Sequence, residues 1–231
     1  MPNLAEQYRD FRKPYLAGRP VRKVVTKRRK RATGLVSSVK NNGSIPWESQ
    51  IERDKIYLLE TAADVEAYEA QPEEFHYQLD GEMRRYYPDF RVTYWDGRRE
   101  IVEVKCQADA DDEENRRAFE AIRKAYAEKN IEFRVVTDTE IRKQPRLDNA
   151  IELLKFRDYQ PNSRLASKVR HLFALQPPKT LQELADTLQF ASWGEPKLLG
   201  MAARGHFGIE LDAIPLCPKS PVFPTNPLGA R

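Results

Sequence analysis

Three residues in the middle of the chain stand at a spacing that can hold a divalent cation. Asp89 follows Pro88, and Glu103-Val104-Lys105 comes after thirteen intervening residues. Two carboxylates brought face to face repel and are costly to desolvate without a cation. A divalent ion relieves that repulsion, and oxygen donors of this kind suit Mg2+ or Mn2+. A neighbouring ammonium can orient a water or stabilise charge building on a phosphate. The same residue types also occur as an ordinary salt bridge on an exposed sheet face, so the elements that carry them decide the matter.

Those elements are readable. Phe90, Val92 and Tyr94 alternate with Asp89, Arg91 and Thr93, while Val102 and Val104 alternate with Ile101, Glu103 and Lys105. Each run has the period of a strand with one apolar and one largely polar face. Trp95-Asp96-Gly97 lies between them. A two-residue Asp96-Gly97 turn would set Phe90 against Glu103 and mix core with charge. A three-residue loop with Gly97 left-handed sets Phe90 opposite Val102, Val92 opposite Glu100 and Asp89 opposite Glu103. The hydrophobic pattern selects the second register, in which Asp89, Glu103 and Lys105 share a face and directly opposed Cβ atoms lie about 5 Å apart.

Around this hairpin the chain alternates helical and extended patterns. A helix of about fourteen residues from Trp47 carries Ile51, Lys55, Leu58 and Ala62 on one stripe, and Gln71-Pro72 stops any continuation. Glu74 to Leu79 reads as a strand. An acidic lead, Asp109 to Glu114, opens a helix reaching about Asn130, where carboxylates favour the positive dipole end. Ile131 to Thr137 is a buried strand, and Asp138 caps a short helix before Pro145. Strands alternating with helices indicate an α/β domain.

The 231 residues carry a net charge of +4, but unevenly. Between Phe11 and Trp47 there are eleven Lys or Arg and no acidic residue, leaving 28 cations against 35 anions elsewhere. A basic arm on an acidic body is the distribution expected when one segment meets a polyanion such as DNA. Lys27, Arg28, Arg29, Lys30 and Arg31, with Lys40, are the candidate DNA contacts. Five phosphate contacts would give a log–log salt slope of about −4 to −5, steering the protein without specifying sequence.

The expected organisation is a basic arm over 1–42, a catalytic α/β domain over 43–160, a small C-terminal domain over 161–217 and a Pro-rich tail over 218–231. In the C-terminal part, helices over Ser163 to Gln176, a capped TLQELADTL helix from Thr180 and a helix over Glu195 to Ala203 precede an extended GHFGIELDAI. That order suggests a winged helix, whose third helix would normally read DNA. From Ala150 onward, however, ten cations face seven anions, which leaves protein docking at least as good a reading. Two distant cysteines, Cys106 and Cys217, form neither a disulfide framework nor a zinc site. No apolar run is long enough for a membrane helix and no secretory signal is present, so the cytoplasm is expected.

Together, Trp47-Glu48-Ser49-Gln50-Ile51-Glu52, Gln71-Pro72, Tyr86-Tyr87-Pro88-Asp89-Phe90 and Val102-Glu103-Val104-Lys105 resemble the TnsA family, endonuclease subunits of heteromeric cut-and-paste transposases within the PD-(D/E)XK nuclease superfamily. The resemblance covers about Arg22 to Asp158. It implies a restriction-endonuclease-like core, a mixed sheet flanked by helices, with Asp89 and Glu103 as metal ligands and Lys105 as the catalytic lysine. It also implies a ligand from the Val104 carbonyl and a glutamate from the preceding helix. Glu52 matches best; Glu48, one turn earlier, shares its face and stays open as the alternative.

The implied reaction is metal-dependent hydrolysis at the 5′ side of transposon ends on double-stranded DNA, in prokaryotic cytoplasm. A TnsB-type DDE transposase and a TnsC-type AAA+ ATPase would be the partners. Another nuclease of the same superfamily, or an assembly module with an inactive nuclease fold, remain the alternatives on sequence alone.

Overall fold

A computed structural model describes residues 32–225, which divide into two compact units. The first comprises the described residues up to Arg53 together with Ala67–Thr93 and Gly97–Thr137; the second comprises Asp54–Glu66, Tyr94–Asp96 and the described residues from Asp138 onward.

The first unit begins with a hairpin, β1 (Gly34–Ser38) and β2 (Gly43–Trp47), in a stretch whose charge pattern alone placed it in the basic arm. Its turn is fixed by Asn41, almost wholly buried, which receives the Tyr68 N–H on Oδ1 at 3.2 Å and donates its own N–H to Ser38 Oγ at 3.0 Å. Helix α1 (Gln50–Thr61) follows, then β3 (Val65–Ala70), a strand in a segment to which the sequence pattern assigns no element. A second hairpin, β4 (Phe75–Leu79) with β5 (Glu82–Tyr86), turns through Asp80 and Gly81, both at positive φ, the two-residue turn that such a dipeptide favours.

The central sheet contains β3, β6 (Phe90–Tyr94), β7 (Arg99–Lys105) and β8 (Glu132–Thr137) in the order β3-β6-β7-β8. β6 pairs with β7 antiparallel, Phe90 opposite Val102 and Val92 opposite Glu100, and Gly97 has φ 85°. This is the register and the left-handed glycine expected from the hydrophobic alternation. β7 pairs with β8 in parallel, which makes the sheet mixed.

One expectation is corrected. The alternation predicts a largely polar face for Ile101 and Glu103, yet every residue from Glu100 to Val104 is buried. β7 lies inside the sheet, and α2 (Gln107–Asp111) is followed by a longer helix, α3 (Glu113–Ala127), that packs Phe119, Ile122 and Tyr126 with Ile101, Phe133, Phe75 and Tyr77 into one core. Phe75 and Tyr126 stack at 3.9 Å between centroids, and Tyr126 stacks in turn on Phe133 at 6.1 Å. α3 starts where the acidic lead predicts, with Asp112 accepting the Asn115 N–H at 3.0 Å. Mixed sheet and flanking helices give the restriction-endonuclease-like architecture.

The second unit is mainly helical, with α4 (Asp138–Ile141), α5 (Arg146–Leu154), α6 (Ser163–Leu175), α7 (Leu181–Leu188) and α8 (Pro196–Ala203), then the short pair β9 (Gly208–Ile209) and β10 (Val222–Phe223). Thr180 caps α7 as its sequence predicts, accepting the Glu183 N–H at 3.2 Å, and the Glu183 carboxylate reaches back to the Lys179 N–H at 2.7 Å. Buried Asn149 ties the segment after β9 to α5: its Nδ2 donates to the Leu211 and Ile214 carbonyls and its Oδ1 accepts the Leu216 N–H, each at 2.8 Å. The Pro-rich stretch, read from composition as a non-globular tail, is folded from Pro218 to Phe223. Its carbonyls at Pro218 and Ser220 receive the Gln182 and Leu181 N–H groups at 3.0 Å.

α8, the third helix of the C-terminal part, is buried from Leu198 to Ala203. A Cβ at Gly200 would stand 2.5 Å from that of Tyr159, so only glycine permits this closeness. Within the helix only Pro196 and Lys197, at its N-terminal end, are exposed, which leaves little surface with which to enter a groove of DNA. Among the described residues, no helix is long and apolar enough to cross a membrane.

Candidate active site

The site assembles at the end of the β6–β7 hairpin away from its turn. Asp89 immediately precedes β6, and its Oδ2 accepts the backbone N–H of Val104 at 2.7 Å. The Asp89 carbonyl receives the Gln71 N–H at 2.9 Å, so backbone contacts hold the residue from both sides. Gln71, at φ 47°, closes the turn that leads from β3 toward β4.

Glu103, one residue along β7, is 4% exposed, and both of its oxygens are engaged. Oε1 meets Lys105 Nζ at 2.7 Å, and Oε2 accepts the Tyr86 hydroxyl at 2.5 Å. Tyr86 ends the β4–β5 hairpin. Sequence reasoning used it only as flanking text of the motif; its contact with Glu103 bridges two elements, and the one local signal for the hairpin that delivers it is Asp80-Gly81.

Glu52 lies in the first turn of α1. Its N–H bonds Ser49 Oγ at 3.2 Å while its Oε2 accepts the Glu48 N–H at 2.8 Å, a reciprocal cap on the helix start. That geometry turns Glu52 toward the other carboxylates. Its carboxyl is raised above the usual value, first by burial and then, against the Glu48 N–H and the Ser49 hydroxyl, by the charges of Glu48 and Glu103.

Asp89 feels the same crowding more strongly. Burial, then the charges of Glu103 and Glu52, push its carboxyl well above the ordinary range, and the Val104 N–H and Lys105 only partly offset this. Burial works against the charge on Lys105, but the adjoining Glu103 carboxylate outweighs it, with Asp89 and Asp109 adding, so the ammonium is held charged. The Tyr86 phenol is pushed far up by burial and by Glu103, so it remains a donor.

Asp89, Glu103, Lys105 and Glu52 therefore share one electrostatic neighbourhood, in which Glu48 acts on Glu52. As the side chains stand, no three Asp, Glu, His or Cys among the described residues are gathered tightly enough to hold an ion. The donor chemistry nonetheless suits a hard divalent cation: three crowded carboxylates, two of them destabilised as anions, and a backbone carbonyl at Val104.

Of the candidate DNA contacts, Lys40 sits in the turn between β1 and β2, while Lys27, Arg28, Arg29, Lys30 and Arg31 lie outside the described residues.

A mixed sheet flanked by helices, with an aspartate before one strand and a Glu-x-Lys on its neighbour, is consistent with the restriction-endonuclease-like fold. Residues 62–138 match the family model described as TnsA-like endonuclease N terminal, a stretch that includes Asp89, Glu103, Val104 and Lys105. The chain thus carries a TnsA-like endonuclease domain. No curated protein matches the chain.

Proposed function

We propose that the protein is the metal-dependent endonuclease subunit of a transposase, cutting double-stranded DNA on the 5′ side of transposon ends while a TnsB-type DDE transposase processes the 3′ ends. The observation that carries this reading is the bond from the Val104 N–H to Asp89 Oδ2, which locks the aspartate beside Glu103 and Lys105 inside the TnsA-like segment.

In this reading Asp89, Glu103 and Glu52, with the Val104 carbonyl, hold one or two Mg2+ or Mn2+ ions. Such ions supply a lowered pKa for the attacking water and neutralise charge on the phosphate. The chain's own groups do the rest. Lys105 stays protonated, so it acts as a cation that orients water and stabilises the phosphate oxygens rather than as a base. Asp89, fixed through its backbone and its side chain, sets the position of the scissile phosphate. Glu52 adds its carboxylate from a capped helix start, which supports it over Glu48.

The basic segment Lys27 to Arg31, with Lys40, supplies sequence-independent contact with DNA phosphates. The C-terminal part, read as winged-helix-like, serves protein docking, to the transposase or a TnsC-type AAA+ ATPase; enclosure of α8 supports docking over base reading. The setting is the prokaryotic cytoplasm, at the nucleoid during transposition. In this reading the arm ends before the β1–β2 hairpin rather than at about residue 42, the nuclease domain runs to about 160, and the C-terminal domain extends past 217 to take in the folded Pro218–Phe223 stretch.

The test is reconstituted excision with the partner transposase, using wild type, Asp89→Ala and Lys105→Ala. Loss of donor 5′-strand cleavage in both variants, with 3′ joining retained, is the expected result. Continued 5′ cleavage in both overturns the assignment.

A further inference from the structure

The β4–β5 hairpin leads straight into the site, and its outer side has no role in the chemistry above. His76 pairs with Arg85 across the two strands and Gln78 with Met83, which sets these four on the solvent face, while Arg84, opposite Tyr77, lies on the other face and reaches the same groove around the β5 edge. A groove of about 550 Å³ is lined by Glu74, His76, Met83, Arg84 and Arg85. Met83 is 68% exposed, large for an apolar side chain next to two arginines. Among the described residues neither Arg84 nor Arg85 forms an ion pair, although acidic residues are plentiful in this unit. The one acid in the groove, Glu74, already accepts the Tyr87 hydroxyl and meets His76 Nε2 at 3.4 Å.

Two unneutralised guanidiniums beside an exposed methionine are an unfinished surface. What completes it follows from where the hairpin ends. Tyr86, the last residue of β5, touches Glu103, and Asp89 comes three residues later. Arg85 is four residues from Asp89, at most about 13 Å of extended chain. At 3.4 Å of axial rise per nucleotide, that is a reach of about four phosphates along one strand.

We infer that the β5 edge of the β4–β5 hairpin is a DNA-binding surface of the nuclease domain, Arg85 from the solvent face and Arg84 from the opposite face contacting phosphates that flank the cleaved one and Met83 lying against the sugar edge. The inference rests on the nuclease reading only in naming duplex DNA as the occupant. Charge selects a polyanion and continuity with the carboxylate site selects the strand being cut. Tyr86 then links the two events, since its side chain holds Glu103 while its strand carries the arginines.

The experiment measures binding of a fluorescein-labelled DNA duplex by anisotropy across a salt series, using the full chain with Asp89→Asn so that no cleavage intervenes. The Arg84→Gln/Arg85→Gln variant is expected to bind more weakly and to lower the log–log salt slope by about 1.8, at about 0.9 per phosphate contact. Arg116→Gln/Lys124→Gln on α3 removes the same charge elsewhere and is expected to leave the slope unchanged. A photocrosslinking residue at position 83 is expected to capture the duplex far more than one at position 128 on the end of α3.

An unchanged slope in the hairpin variant, an equal fall in the α3 variant, equal crosslinking at the two positions, or no binding by the parent protein would each overturn the inference. The nuclease reading is judged separately: excision that fails while the slope still falls removes the catalytic proposal and leaves the surface. Excision that succeeds while the slope is unmoved removes only the surface.

Discussion

Tyr86 donates its hydroxyl to Glu103 Oε2 at 2.5 Å while Lys105 occupies Oε1 at 2.7 Å, so one buried carboxylate is clamped from both sides. A hydrogen bond to a charged acceptor contributes about 1.5–3 kcal/mol. Tyr86→Phe removes the donor without opening the core, and the metal-free protein should lose about that much stability near neutral pH. Added Mn2+ should shrink the loss, because an ion on Glu103 replaces the missing partner. Thermal melts of both proteins with and without Mn2+ measure it; equal losses in the two conditions would separate Glu103 from any ion.

Asp89 gives a pH signature with a definite sign. Its carboxyl is raised in the folded protein, chiefly by burial and then by Glu103 and Glu52. Between the ordinary carboxylate value and the raised one, the folded state binds more protons than the unfolded chain, so stability falls as pH rises through that window. Below the window the penalty is absent. Asp89→Asn deletes it while keeping an oxygen for the Val104 N–H. The metal-free variant should therefore exceed wild type in stability at pH 7, by about 1.4 kcal/mol for each unit the carboxyl is raised. The two should converge toward pH 3. Denaturant unfolding across that range is the measurement, and a wild type more stable than the variant at pH 7 contradicts the crowding described here.

The parts of this site that the sequence discloses are those encoded within one hairpin. Phe90, Val92 and Val102 alternate cleanly, and Gly97 allows one loop that keeps them together, so the β6–β7 register and the Asp89–Glu103–Lys105 grouping follow from local pattern. Burial of Glu103 does not follow, because it depends on β8 pairing from the other side and on α3 supplying Phe119, Ile122 and Tyr126. The strand β3 is hidden by Glu66 and Glu69 in a short VEAYEA run. Hairpin β1–β2 is hidden by the charge run beside it, although Asn41 anchors its turn on Tyr68. Glu52 fits the family spacing, but its turn toward the other carboxylates depends on the Ser49 and Glu48 bonds that no spacing rule displays. Tyr86 is invisible for the same reason: its partner lies on another element.

Lys105 is held as an ammonium by Glu103 despite the opposing effect of burial. The excision rate should then show no alkaline limb from the lysine near neutrality. Lys105→Ala should lower the cleavage rate by about 10²–10³-fold, the cost of removing one preorganised charge from a developing anion. Lys105→Arg should recover part of it. A pH–rate profile for 5′ cleavage tests this, and an alkaline limb near neutrality that vanishes in Lys105→Arg would make the lysine a base instead.

Asn149 offers a test of the second unit that is independent of the chemistry. Its side chain makes three bonds of 2.8 Å to the backbone at Leu211, Ile214 and Leu216, and only 4% of the residue is exposed. Asn149→Ala strands two carbonyls and an N–H, and each stranded buried group costs about 1–3 kcal/mol. Relaxation toward water at Ile214 and Leu216 limits the total, so a loss of about 2–4 kcal/mol is expected. Asn149→Asp keeps the acceptor for Leu216 but sets a charge against two carbonyls, and it should be no more stable than the alanine variant. If DNA contact belongs to the first unit and docking to the second, the alanine variant should still bind a DNA duplex with the wild-type salt slope while losing capture of the partner proteins. A DNA-binding defect equal to the docking defect would place both tasks on the C-terminal part.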